Sequence, residues 1–480
     1  MDSQTSTTLS SAPLRPGSRF AGKRVHFIGI GGSGMSGLAR MLLDSGAIVS
    51  GSEPKPGAVT FELQNKGVKI SREQMGQLLD REVDLVVRTA AVPDTNPEYL
   101  VAKKFGIATM KYAQLLGEVM AERHGIAVAG THGKSTTTAM TAYTLLNCGV
   151  DASFVVGGTV PQLGGGSRSG AANAFVAEAC EFDRSFHNLQ PTVAILTNVE
   201  ADHLDCYKDL DDIIDSFRTF VSRLPDDGTL VVNGKDVNVA RAIAGSRCKI
   251  ETVALVDNAV RAPNFNWSTL PAGTVNGCPT GEVYHNGQHV GTLALSVPGL
   301  HNLMNATMAI AAAATCGVDP ADAVKAISGF TGVDRRMTRM GGINGATIVD
   351  DYGHHPTEIR ATLAALRERY KPERLICVFQ PHQHSRTRFL LDEFATAFES
   401  ADESILADIY FVRDSEEERA KVCTQDVIAR VTANGQDAIH IATFPEIVTY
   451  LRGRIESGDL IVTMGAGNVW EVGRDLIGNA

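Results

Sequence analysis

Apolar positions along the 480-residue chain gather in short runs of four to seven, each closed by glycine or a polar cluster. Most are followed by a stretch with helical spacing. Runs of this length bounded by turn residues predict buried strands of a parallel sheet, and the stretches between them predict crossover helices. They fall at 24–30, 47–50, 85–89, 126–129, 174–177, 193–197, 346–349, 375–379, 406–410 and 460–464. Between 228 and 297 the pattern shifts to short β-like runs separated by turns, Asn286-Gly287 among them, which predicts additional strands. Residues 300–316 form an alanine-rich helical run. The order implies an α/β chain of three domains: 21–120 Rossmann-like, 121–331 with the extra strands, and 332–480 again Rossmann-like. Residues 1–20 carry Ser, Thr, Pro and Gly without an apolar run and read as a disordered tail.

Composition narrows the function classes. An apolar fraction of 44% with 20% charged residues is that of a globular protein. A net charge of −10 argues against a general nucleic-acid or anionic-membrane partner. No stretch of about 18 apolar residues is present to span a bilayer. The eight cysteines are scattered singly, with no C-x-x-C, which suits a reduced, cytoplasmic chain; a monomer or homodimer is expected.

The chemistry concentrates at strand ends. Residues 126–140, I-A-V-A-G-T-H-G-K-S-T-T-T-A-M, pass from a strand through a glycine turn into a helix. Backbone N–H groups and a helix N-terminus there suit the phosphates of ATP, Lys134 reaches the β/γ-phosphates, and Ser135 offers a hydroxyl to Mg²⁺. The loop residues are Gly130, Thr131, His132, Gly133, Lys134, Ser135 and Thr136; Val128 stands where the usual P-loop has its first glycine. Near the N-terminus, G-I-G-G-S-G at 29–34 follows a strand and opens a helix, with Glu53 about twenty residues on. That dinucleotide fingerprint specifies a pyrophosphate at a helix start and a ribose hydroxyl on an acid. An NAD dehydrogenase satisfies it, and so does a protein that binds a UDP-sugar. E-A-C-E-F-D at 178–183 and N-V-E-A-D-H-L-D at 198–205 each follow a strand. Asp202, His203, Asp205 and Cys206 are crowded, but their spacing matches no zinc pattern; a hard cation held by carboxylate and hydroxyl oxygens fits better. D-D-Y-G-H-H-P-T-E at 350–358 packs two acids, a tyrosine and two histidines ahead of a proline, with no fold requirement to explain it.

These motifs, in this order from about 23 to 467, resemble those of the Mur ligase family, whose P-loop reads G-T-H-G-K-[ST]-T. The resemblance implies ATP-driven amide formation with Mg²⁺ in peptidoglycan precursor synthesis. UDP-N-acetylmuramate supplies the carboxylate and L-alanine the amine, through an acyl phosphate. It implies a UDP-sugar site at Gly29, Gly31, Gly32, Ser33, Gly34, Glu53 and Thr89, with His132 and the glycine-rich stretch 154–170 beside it. It also implies metal ligands Ser135, Glu178 and His203, and adenine-side residues Asn302 and Asn305. Asp351 is implied on the ATP side, and Arg335 and Arg336 approach the phosphates. Tyr352, His354 and Arg386 are implied as the amino-acid site. D-D-Y-G-H-H-P-T-E points to alanine-adding members; a tripeptide-recycling member would carry Phe-Ala in place of Tyr352-Gly353. The chain departs from the family at Glu53, Arg88, Cys180 and Phe182. It departs again at Gln383 and His384, where many members carry Arg and an aromatic.

Overall fold

The structure, a computed structural model, describes residues 17–478. Each domain is built on its own sheet. The first has five parallel strands ordered Lys69–Ser71, Ile48–Ser52, Arg24–Ile28, Leu85–Arg88, Ala108–Lys111. In the second, a parallel set runs Ser153–Val155, Ala174–Glu178, His124–Ala129, Val193–Leu196, Thr229–Asn233, Lys249–Leu255, Trp267–Val275. It ends in the antiparallel pair Cys278–His285 and Gln288–Ala294. These two are joined at Asn286-Gly287, whose φ values of 48° and 76° are those of a tight hairpin turn. In the third, Ala346–Asp351, Asp459–Met464, Arg374–Phe379, Glu403–Leu406 and Ala438–His440 run parallel, with Thr338–Ile343 antiparallel at one edge.

The apolar runs become strands because both faces of these sheets are covered: Ile126, Ala127, Val128 and Ala129 are fully buried, as are Leu375 to Phe379. The alanine-rich run forms the helix His301–Ala314, packed on Lys134–Asn147, where small side chains let the two backbones approach. Two readings shift. The strand expected at 406–410 is Glu403–Leu406: its parallel register with Arg374–Phe379 ends at the Phe379–Leu406 pair, and beyond it the pairing is reduced to the isolated bridge His382–Tyr410. Residues 18–20 are not tail. Phe20 is buried in the first domain's core, and the Arg19 N–H donates to Glu122 at 3.1 Å. Residues 1–16 of the expected tail lie outside the described residues.

Candidate active site

The P-loop is shaped by two glycines at positions where a side chain would be strained. Gly130 has φ 137°, and a Cβ there would lie 1.9 Å from Thr197 Oγ1 at the end of the next strand. Gly133 has φ 81°, and its Cβ would meet the Asn305 amide at 2.9 Å. The chain therefore turns tightly into Lys134–Asn147 with its backbone open to a ligand. Lys134 folds back: Nζ donates to the carbonyls of Gly130 (2.7 Å) and Thr131 (2.9 Å) and to Glu181 Oε1 (2.8 Å). Burial alone would lower its pKa, but Glu181 and Glu178 outweigh that and hold the ammonium charged.

Glu178 closes its strand and accepts the Gly157 N–H at 2.8 Å. His203, in a left-handed conformation at φ 52°, sets Nε2 3.5 Å from Glu181 Oε1. Glu181 Oε2 is buried without a hydrogen-bond partner. Ser135, Glu178, Glu181 and His203 line one cavity with Lys134. An orphaned carboxylate oxygen among oxygen donors and one imidazole is a donor set that fits Mg²⁺.

The facing wall comes from the C-terminal domain. Arg335 donates to Asp350 at 3.0 Å and to the carbonyls of Gly465 and Gly467, and its guanidinium lies 5.0 Å from the Tyr352 ring centre. Arg336 stands 3.5 Å from Glu358 Oε1. His354 Nδ1–H donates to the Tyr352 carbonyl at 3.1 Å, which leaves Nε2 as an acceptor. Burial first, then the charge of Arg386, pushes His354 down to about 3, so the ring is neutral. Arg386 is buried and committed: Nε donates to Asp202 at 2.8 Å, across the domain boundary, and NH1 to the His382 carbonyl at 3.1 Å.

The two domains also meet around His132. Its Nδ1 lies 3.4 Å from Glu358 Oε1 and its Nε2 3.5 Å from Glu200 Oε2. Burial would lower its pKa, but the two carboxylates push it up to about 9. Glu358 also accepts the His354 N–H at 3.0 Å, and Glu200 accepts the Thr357 hydroxyl at 2.8 Å. His132, Glu200 and His355 bring ligand-type atoms within 4.8 Å of one another. His355, however, accepts the Thr357 N–H and donates to the Ala201 carbonyl, so both its nitrogens are used.

A second cavity adjoins the first at Ser135, Arg336 and Glu358. Thr136, Asn302, Asn305 and Asp351 line it. The Asn302 amide donates to the Pro298 carbonyl (2.7 Å) and Asn305 to Asn302 (3.0 Å), so the pair is a fixed polar wall. Asp351 accepts the N–H groups of Met337 and Gly353, while burial pushes it up to about 6. In the first domain, Glu53 Oε2 accepts the Gly31 N–H at 3.1 Å. Gly34 lies against the Tyr112 ring and hydroxyl, and burial, with the charge of Glu178 adding to it, pushes that hydroxyl's pKa up. A Cβ on Gly166 of the middle domain would lie 2.8 Å from the Ser33 hydroxyl. Gly29 (φ 77°) and Gly32 complete that loop, and Thr89 follows the strand Leu85–Arg88.

Sequence reasoning passed over Glu181, Glu200 and Glu358, although all three lie inside motifs it singled out. It gave Arg413 no attention. Gln383 is buried away from the cavity, its amide bonded to Ser385 and Asp414, and Arg413 lines the cavity instead.

A P-loop domain between two doubly wound domains, with acids and basic residues of two domains around one cleft, defines a three-domain nucleotide-using α/β enzyme. Three family models match in succession: "Mur ligase family, catalytic domain" at 24–124, "Mur ligase middle domain" at 128–313, and "Mur ligase, glutamate ligase domain" at 335–467. The chain belongs to the Mur ligase family. It is 42% identical to the UDP-N-acetylmuramate–L-alanine ligase of Clostridium novyi, over 94% of this chain and 96% of that one. It is 41% identical to that of Caldanaerobacter subterraneus, over 95% and 97%. Among solved structures, the UDP-N-acetylmuramate–alanine ligase of Thermotoga maritima superposes with a TM-score of 0.75 at 25% identity, over 95% and 98% of the two chains. The murein peptide ligase of Psychrobacter arcticus gives 0.68 at 28%, with the same coverage. Family membership sets aside the dehydrogenase reading of the first domain. No helix of the described residues is long and apolar enough to cross a membrane.

Proposed function

We propose that this chain joins L-alanine to the carboxylate of UDP-N-acetylmuramate at the expense of ATP, in the cytoplasm, as a monomer or homodimer. The observation that carries the reading is the convergence of Lys134, Glu178 and His203 with Arg336, Tyr352, His354 and Arg386 on one cavity. The relatives at about 40% identity, named as alanine ligases, favour alanine over a tripeptide.

In this reading the glycine loop 29–34, Glu53 and Thr89 hold the uridine nucleotide, with His132 beside the sugar. Asn302, Asn305 and Asp351 wall the adenosine side of ATP, and residues 130–136 cradle its phosphates. Ser135, Glu178 and His203, with Glu181 beside them, would hold Mg²⁺, which when bound supplies charge neutralisation at the phosphates. Lys134 leaves Glu181 for the transferring phosphoryl group, and Arg335 and Arg336 stabilise the same charge from the opposite domain. A carboxylate is a poor acyl donor, so the sugar carboxylate attacks the γ-phosphorus, the bond to the β–γ bridging oxygen breaks, ADP leaves and an acyl phosphate is formed. The amine then displaces phosphate. Tyr352, neutral His354 and Arg386 line the amino-acid side, where the neutral His354 Nε2 can accept a hydrogen bond from the amine. Cleft closure keeps water from the acyl phosphate.

Phosphate release from purified protein, with ATP and single amino acids, tests this. Release should require both UDP-N-acetylmuramate and L-alanine. Equal ATP turnover without the sugar nucleotide would contradict it.

A further inference from the structure

Four guanidiniums of the C-terminal domain reach the catalytic cavity, and three of them are already paired with carboxylates. Arg335 has Asp350 at 3.0 Å, Arg336 has Glu358 at 3.5 Å, and Arg386 has Asp202 at 2.8 Å. Arg413 differs. Among the described residues its contacts are neutral: NH2 donates to Gln383 Oε1 at 3.2 Å, and the guanidinium lies 4.4 Å from the centre of the Phe182 ring. Its neighbour Asp414 is turned away, accepting from Gln383 and the Ser385 N–H. Arg413 lines the cavity together with Arg386, His382 and His203.

The placement is imposed by the surroundings. Arg413 has φ 63° and Gln383 φ 76°, positive values that non-glycine residues rarely adopt. Phe182 belongs to the middle domain and sits edge-on to the His203 ring, 5.3 Å between centres. The Phe182 face therefore fixes Arg413 only when the two domains are together. What results is a planar donor fork, held in place on one side and lacking an anion, beside the residues that line the amino-acid side.

We infer that Arg413 is the residue that reads the carboxylate of the incoming amino acid, with Arg386 held by Asp202 as the wall behind it. This rests on the ligase reading above and names the group that recognises its second substrate. A guanidinium already paired in a buried bridge must give up that partner to take a substrate carboxylate, whereas Arg413 gives up one neutral amide contact. Because Arg413 and Phe182 come from different domains, carboxylate recognition is complete only in the closed cleft.

The test compares L-alanine with L-alaninamide, which keeps the amine and lacks the carboxylate, as acceptors for the wild type and for Arg413→Gln, Arg413→Lys and Phe182→Leu. The wild type should prefer alanine strongly. In Arg413→Gln the KM for alanine should rise about 10- to 100-fold, that for alaninamide should stay within about threefold, and kcat at saturating alanine should change less than KM. Arg413→Lys should recover part of the preference and Phe182→Leu should lose part of it. If Arg413→Gln keeps the full alanine preference while Arg386→Gln abolishes it, Arg386 is the reader and the inference is wrong. If the wild type shows no alanine-dependent phosphate release, the ligase reading itself falls, and this inference with it.

Discussion

His132 of the P-loop and Glu358 of the C-terminal domain face each other at 3.4 Å, so the loop that would cradle ATP is tied by charge to the domain that would carry the amino acid. Glu200 flanks the same imidazole at 3.5 Å. The P-loop histidine thus acts as a clasp between domains.

The clasp has a pH signature. His132 is raised from 6.5 to about 9, so its contribution to stability is present in full below about pH 6.5 and is lost as pH rises to about 9. Stability of the wild type should therefore fall by about 3 kcal/mol more than that of His132→Gln across that window. Parallel pH profiles for the two proteins would show that the imidazolium does not hold the domains.

Lys134→Ala should lower turnover by about 10²–10³ while calorimetry finds UDP-N-acetylmuramate binding nearly intact, since the nucleotide is assigned to the first domain. The variant also leaves Glu181 without its ammonium, so its Tm should fall. Retention of more than about a tenth of the activity would remove Lys134 from the phosphoryl transfer.

Arg386→Ala should destabilise the chain by about 3–5 kcal/mol, because it strands Asp202 as a buried unpaired carboxylate, and should raise the alanine KM less than Arg413→Gln does. Adding Asp202→Ala should return about 1–3 kcal/mol of the loss. Strict additivity of the two substitutions in urea unfolding would mean the pair carries no coupling between domains.

Glu178→Gln tests the metal set. The Mg²⁺ concentration needed for half-maximal activity should rise by at least about tenfold, with a lower kcat. Chelation followed by Mg²⁺ should restore the wild type fully. An unaltered Mg²⁺ requirement would remove Glu178 from the ligands.

Much of this site was legible because strand, turn and helix write themselves locally. The 126–140 stretch carries its period and its glycines together, and strain at Gly130 and Gly133 accounts for why glycine stands there. Strand ends that carry acids or arginines could be placed at a sheet edge before any contact was known. The pairings could not. Asp202 with Arg386, His132 with Glu358 and Phe182 with Arg413 join residues more than 180 positions apart, and each depends on how two domains dock. No local period encodes that. Arg413 had no motif around it, and the slipped strand 406–410 blurred the loop in which it lies. Gln383 read as a missing charge because the sequence could not show a second arginine reaching the cavity from thirty residues away.

The central claim is that ATP activates the sugar carboxylate for attack by alanine, and oxygen transfer reads it directly. UDP-N-acetylmuramate labelled with ¹⁸O in its carboxylate is turned over with ATP and L-alanine, and the released phosphate is analysed by mass. The account predicts one labelled oxygen in each phosphate released and an alanyl amide on the sugar nucleotide. Unlabelled phosphate, or phosphate released with no amide formed, would contradict it.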